Sequence, residues 1–160
     1  MVHNTADLCD THDDLVRIAD PLFADFGGRL AFHGRIATVK CHEDNSMVRA
    51  AIETAGEGRV LIVDGGGSIR CALIGDQLAA LALDNGWAGA IVYGCIRDSA
   101  AVCEMDFGLK ALETHPRRST KKGVGERDVT VDFAGVTFVP DEHVYADPDG
   151  IIVSAKPLHE

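Results

Sequence analysis

Basic residues are scarce in this chain. Fifteen lysines and arginines stand against 25 aspartates and glutamates, giving a formal net charge of −10 and a pI near 5.0. Affinity for nucleic acid rests on neutralising phosphates with Lys and Arg, so no direct nucleic-acid ligand is expected. An acidic surface instead suits a cation or a basic protein partner. No apolar run approaches the ~20 residues of a membrane-spanning helix, so no membrane partner is expected. The five cysteines (Cys9, Cys41, Cys71, Cys95 and Cys103) are odd in number and form no CxxC pair. No His or Cys pair has the ligand spacing of a structural zinc site. With no secretory signal at the start, the cysteines read as reduced thiols of a cytoplasmic protein. Linkers, repeats and low-complexity tracts are missing too. A length of 160 residues then implies one domain over residues 1–160, large enough to bury a core without staples.

Local patterns give an α/β order. Thr5 precedes "ADLCDTHDDL", whose acidic first turn suits a helix N-terminus. "RIATVKC" (Arg35 to Cys41) alternates and is rich in β-branched residues, so it reads as a strand. Asn45 or Ser46 is placed to cap a helix over "MVRAAIETA". "RVLIVDGGGS" is a buried strand running into a tight loop at Asp64, and "AGAIVYG" is a second buried strand ending at Gly94. Between them Asp76 to Asn85 reads as a helix, with Leu78, Ala79, Leu81 and Ala82 on one apolar face and Gly86 as its stop. Strand, helix and strand in that order imply a parallel crossover, with both following loops on one sheet edge. Beyond Arg118, "DVTVDFAGVTFVP" is a hairpin about Ala134-Gly135, and "DPDGIIVS" is a turn feeding a last strand. The expected fold is therefore layered: a mixed sheet with flanking helices, not a pure doubly wound one.

Ligands of open α/β sheets sit beyond the carboxyl ends of the strands. Three features should gather there: the Gly65-Gly66-Gly67 loop, the helix start at Gly75-Asp76, and the segment from Gly94 to Asp98. The amides of Asp76, Gln77 and Leu78 are free donors at a helix N-terminus and suit a carboxylate or phosphate. Arg97 has the fork that clamps a carboxylate or enolate oxygen. Asp98 is a hard oxygen ligand suited to Mg²⁺. Such a set describes a site for a small, anionic, metal-chelating molecule such as a 2-keto acid. "DGGGS" is neither GxGxxG nor a P-loop, so it does not indicate a nucleotide. The run "HPRRSTKKG" (His115 to Gly123) carries four basic charges in an acidic chain. It reads as a solvated loop, or as an attractor for anionic substrate or a neighbouring acidic surface.

"FGGR" (Phe26 to Arg29), "TVKCHEDN" (Thr38 to Asn45), "VLIVDGGGS" (Val60 to Ser68), "GDQLAALA", "GCIRD", "GVGERDV", "AGVTFVPD" and "YADPDGIIVS" together resemble the RraA-like family across essentially the whole chain. That family includes ribonuclease-regulator proteins and class II 4-hydroxy-4-methyl-2-oxoglutarate aldolases. The resemblance implies a swivelling β/β/α domain, a homotrimer with sites at subunit boundaries, and a signature of Asp, twenty residues, then Arg-Asp, here Asp76, Arg97 and Asp98. It further implies that Gly75, Asp76, Gln77 and Leu78 hold the substrate carboxylate, that Arg97 binds substrate oxygens, and that Asp98 holds a divalent cation (Mg²⁺ or Mn²⁺). Arg97 and Asp98 would then be the catalytic pair in retro-aldol cleavage to two pyruvates, with oxaloacetate decarboxylation through the same enolate. This chain departs from the aldolase pattern at Ala101, where an acid often stands. The other implied class is a non-catalytic inhibitor docking on a ribonuclease E-type enzyme. Lysine Schiff-base chemistry has no candidate, since neither Lys40 nor Lys110 lies in the signature. A methyltransferase would need a nucleoside-binding glycine loop followed by an acid, whereas Ile69-Arg70 follows "DGGGS".

Overall fold

The computed structural model describes residues 3–158. Helix α1 (Thr5–His12) is followed by short strands β1 (Val16–Ile18) and β2 (Ala24–Asp25), then the long strand β3 (Phe32–Lys40) and helix α2 (Ser46–Ile52). The middle of the chain holds β4 (Val60–Asp64), β5 (Ala72–Ile74), α3 (Asp76–Asp84), β6 (Gly89–Ile96), α4 (Ser99–Val102) and β7 (Gly108–Thr114). The last part is strand-rich: β8 (Glu126–Arg127), β9 (Val131–Phe133), β10 (Val136–Phe138), β11 (His143–Asp147) and β12 (Gly150–Ser154).

Strands β3, β4, β6 and β7 run parallel, as buried runs linked by helical crossovers should. β11 adds antiparallel to β3 and continues through β12 to β1, so the main path of the ten-stranded sheet is β1-β12-β11-β3-β4-β6-β7-β2, with β5 paired on β6 and β8 on β3 off that path. The expected mixed sheet with flanking helices is therefore present. Alternation along the central strands separates two cores. Leu61 and Val63 of β4, with Ala90 and Val92 of β6, face the helices and pack with Val48 and Ile52 of α2 and Leu78, Ala79 and Ala82 of α3. Val60, Ile62 and Ile91 face the other way, onto the β9–β10 hairpin and the inner sides of β11 and β12. The result is a β/β/α layering, with α1 covering Tyr145 and Ile152 on the outer side of the second β layer. Among the described residues no helix is long and apolar enough to cross a membrane.

Three local expectations are corrected, and one strand is added. Asn4, not Thr5, caps α1, its side chain accepting from the Asp7 amide at 3.1 Å. Thr5 lies inside the helix and donates its amide and hydroxyl to Asp147, at 2.7 and 2.6 Å. Asn45 stands at the cap position of α2 but makes no capping bond; the neighbouring Asp44 accepts from the Ser46 amide at 2.9 Å instead. β6 runs to Ile96 and does not end at Gly94. β5, which has too few residues to show a period, lies between the glycine loop and α3, paired parallel with the end of β6.

Candidate active site

The β5–β6 ladder places the two ends of the charged signature side by side. Ala72 is in register with Cys95 and Ile74 with Ile96, and the Arg97 amide donates to the Ile74 carbonyl at 2.9 Å. Both strands then leave the sheet together, so Gly75-Asp76 and Arg97-Asp98 emerge at one edge. Gly75 is required there for space. Its backbone (φ −122) is open to any residue, but a Cβ on it would stand 2.7 Å from Asp98 Oδ2 and 3.3 Å from Arg97 Cγ.

Asp98 sits in the left-handed region, at φ 59 and ψ 39. Aspartate tolerates this conformation better than most residues, but it still carries a backbone cost, and such costs concentrate at functional positions. The conformation turns its carboxylate back to the start of α3, where Oδ2 accepts the Asp76 amide at 3.1 Å. The first helical bond of α3 runs from Ala79 to Gly75. The amides of Gln77 and Leu78 therefore lack helical acceptors. Of the three free amides expected at this helix start, Asp98 has taken one and two remain. Arg97 directs one guanidinium nitrogen to the Pro116 carbonyl at 3.3 Å and meets no carboxylate among the described residues.

Gly75, Asp76, Gln77, Leu78, Arg97 and Asp98 all line one cleft of about 190 Å³. That volume is below the ~300–1,000 Å³ of clefts for drug-sized ligands and suits a small molecule. The Gly65-Gly66-Gly67 loop does not join them. The Gly65 and Gly67 amides donate to the Tyr93 carbonyl, both at 3.1 Å, and the Gly66 amide donates to Asp64 at 2.9 Å. These donors are engaged within the fold and offer nothing to a phosphate or nucleoside. Cys95, two residues before Arg97, is fully buried; burial chiefly, then Glu113 and Cys71, raise its thiol pKa, which fits a packing role.

A second part of the cleft lining was not evident from the signature. It consists of Asn45, at the cap position of α2, and Arg49 within that helix, with Arg118, Ser119 and Lys121 from the basic run. Lys121 donates to Asn45 Oδ1 at 3.0 Å, and Asn45 in turn donates to the Leu73 carbonyl at 3.0 Å. Asp44 pins the run by accepting the Lys122 amide at 2.8 Å and the Val124 amide at 3.3 Å. Burial would raise the Asp44 pKa, but bonds from the Ser46 hydroxyl and the amides of Ser46, Lys122 and Val124 outweigh it and hold it at about 2. The concentration of positive charge in "HPRRSTKKG" was the sequence signal for this wall. Arg49 gave none.

A family model described as RraA-like, Aldolase/RraA, matches residues 5–153. A provisionally named 4-hydroxy-4-methyl-2-oxoglutarate aldolase of Alkalilimnicola ehrlichii is 60% identical over 154 residues, covering 96% of each chain. Its provisionally named counterpart in Aromatoleum aromaticum is 57% identical over 158 residues, covering 99% of each. Among solved structures, the RNA-processing inhibitor RraA from Thermus thermophilis superposes with a TM-score of 0.94 at 42% identity, over 98% of this chain and 95% of that one. A Geobacillus kaustophilus structure described as S-adenosylmethionine:2-dimethylmenaquinone methyltransferase gives 0.96 at 49% identity, over 98% and 97%. With its signature residues gathered in one cleft and its similarity running from end to end, the chain belongs to the RraA-like family.

Proposed function

We propose that this protein is a class II, divalent-metal-dependent lyase. It cleaves 4-hydroxy-4-methyl-2-oxoglutarate into two pyruvates and decarboxylates oxaloacetate as a secondary activity. The observation that carries the reading is the convergence of Asp76, Arg97, Asp98 and the free α3 amides on one small cleft. The names of the aldolase relatives support the same reaction.

The donor set fits a hard divalent cation. Asp98 has one carboxylate oxygen on the Asp76 amide and the other without a hydrogen-bond donor among the described residues. Asp76 lies in the same cleft. No cluster of three His, Cys, Asp or Glu stands among the described residues. Asp98, with Asp76 beside it, would hold the cation, and waters and substrate oxygens would complete its shell, as is common for Mg²⁺. When bound, the cation supplies Lewis-acid stabilisation of negative charge on oxygen.

The chain's own groups act on the substrate as follows. The Gln77 and Leu78 amides bind the carboxylate next to the 2-oxo group, aided by the positive end of α3. Arg97 donates to the 2-oxo oxygen. In the aldol reaction the 4-hydroxyl passes its proton to a water in the cleft, the C3–C4 bond breaks, and C4 becomes the carbonyl of one pyruvate; the same proton is available for return to C3. The bonding pair moves into the C2–C3 unit as an enolate, whose oxygen charge Arg97 stabilises as it develops. Protonation at C3 then releases the second pyruvate. With oxaloacetate the same bond breaks, CO₂ leaves, and the same enolate forms. The cytoplasm is the fitting compartment for five unpaired cysteines.

The test is to supply purified protein with Mg²⁺ or Mn²⁺ and measure pyruvate released from 4-hydroxy-4-methyl-2-oxoglutarate. Release above the uncatalysed rate, abolished by chelator, is the expected result; its absence refutes the reading. A second reading, a protein inhibitor of a ribonuclease E-type enzyme, is favoured by the net charge of −10 and by the similarity to the Thermus inhibitor. Inhibition of such an enzyme by the metal-free protein would support it. The two activities are compatible.

A further inference from the structure

Arg49, Arg97, Arg118 and Lys121 all line the cleft, against only two carboxylates, Asp76 and Asp98. Elsewhere on the molecule Arg17, Arg29, Arg35, Arg70 and Lys110 each meet a carboxylate. None of the four cleft cations does so among the described residues. Lys40, Arg59, Arg117, Lys122, Arg127 and Lys156 also meet no carboxylate among the described residues, but in a chain where acids outnumber bases 25 to 15 four cations against two carboxylates leave this cleft in positive excess. Arg97 stands beside the start of α3 and also reaches the Pro116 carbonyl, and the rest of the lining contributes Arg49, Arg118 and Lys121.

The backbone that carries Arg118 and Lys121 is held firmly. Ala72 donates to the Arg117 carbonyl at 2.8 Å, Thr120 donates to the Glu43 carbonyl at 2.9 Å, and Asn45 donates to the Thr120 carbonyl at 3.3 Å. The Gly123 amide reaches the Ser46 hydroxyl at 3.0 Å. Between the two cations, Ser119 is only 5% exposed, and its hydroxyl has no hydrogen-bond partner among the described residues. Buried hydroxyls are seldom left without a partner. Arg118 itself makes no side-chain hydrogen bond among the described residues, whereas Lys121 is already tied to Asn45.

We propose that this wall, with Arg118 at its centre, is a second carboxylate subsite that selects dicarboxylic over monocarboxylic 2-oxo acids. One end of the substrate lies at the α3 amides and Arg97; the carboxylate at its other end faces Arg118, with Arg49 and Lys121 adding charge. An arginine fork suits this task because it can hold a carboxylate through two parallel bonds. The inference rests on the proposed function only in taking a 2-oxo acid as the occupant of the Arg97 end.

Equilibrium binding tests it without turnover. Calorimetric titration with Mg²⁺ present would compare 2-oxoglutarate with 2-oxopentanoate, which has the same carbon count but no far carboxylate. Wild-type protein should bind the dicarboxylate about tenfold tighter or more, the contribution of one charge-assisted pair. In Arg118→Gln the ratio should fall toward one through loss of 2-oxoglutarate affinity alone, with 2-oxopentanoate binding held within about twofold and Arg118→Lys keeping part of the preference. A wild-type ratio near one, an unchanged ratio in Arg118→Gln, or equal weakening of both ligands overturns the proposal. A preserved ratio in a protein that releases no pyruvate would overturn the aldolase reading and leave the subsite standing.

Discussion

Adding one methyl group at Gly75 should separate the geometry of the site from the stability of the fold. In Gly75→Ala the new Cβ would stand 2.7 Å from Asp98 Oδ2, where ordinary contact begins at 3.4 Å, so the carboxylate oxygen must retreat by about 0.7 Å. The atom displaced is the tip of an exposed side chain and not backbone, and φ −122 suits alanine, so nothing in the core has to move. The cost to the fold is the Asp98 cap on the Asp76 amide, about 0.5–1.5 kcal/mol. Stiffening of the unfolded chain on replacing glycine returns about 0.4–1 kcal/mol. The net change is about 1 kcal/mol or less, a shift in Tm of about 2–4 °C for a chain of this size. The effect on chemistry should be far larger, because a misplacement of about 1 Å at a reacting group can cost about 100-fold. We expect kcat for pyruvate release to drop by roughly 10- to 100-fold, with weaker activation by Mg²⁺ and a nearly unchanged melting curve. Activity within threefold of wild type, or loss of folding, would refute the reasoning that glycine is there to seat the Asp98 carboxylate.

Three further outcomes are expected, two from the geometry of the chain and the last from its family resemblance alone. Asp98→Ala should abolish metal-dependent turnover while costing about 1–2 kcal/mol in stability, since it removes one exposed cap and leaves alanine in the left-handed conformation; Arg97→Lys should also be severe, because a point charge does not reproduce a fork, and full activity of either variant in steady-state assays contradicts its assigned role. Asp44, depressed to about 2 when folded, should contribute about 2 kcal/mol above pH 4 that disappears as pH falls through 2, so the stability gap between wild type and Asp44→Asn in urea melts should close over that window; a gap independent of pH would falsify the linkage. Light scattering at micromolar concentration should give about three times the 17.0 kDa chain mass, in keeping with a homotrimer, and a monomer mass would exclude that assembly.

Residues whose environment is set by their immediate neighbours could be read from the chain alone. The apolar runs at Val60–Asp64 and Gly89–Ile96 can only be buried strands, and the α3 stripe of Leu78, Ala79 and Ala82 can only face a sheet. The Ala134-Gly135 turn and the Pro148-Asp149 corner follow from local backbone preferences: the first hairpin forms and the second turn feeds β12 as expected, while its pairing with β11 was not read from the chain. The parallel crossover puts the loops after β4 and β6 on one sheet edge, so the neighbourhood of Asp76 and the Arg97-Asp98 pair was legible in the sequence, although the β5–β6 ladder is what sets them side by side. Tertiary structure decided everything that depends on distant partners. β5 has three residues and is a strand only because β6 pairs with it more than twenty positions later. The glycine loop looked like a ligand cradle, yet its amides point to Tyr93 and Asp64. Asn45 appeared to be a helix cap and became part of the cleft through Lys121, 76 residues away. The basic run had the composition of a solvated loop until Asp44, 78 residues before Lys122, fixed its amides and turned Arg118 and Lys121 toward the site. Periodicity encodes which face of an element is buried, because neighbours within a few residues share that face. It carries no information on which distant carbonyl or carboxylate will satisfy a loop amide, and those long-range bonds built the second wall.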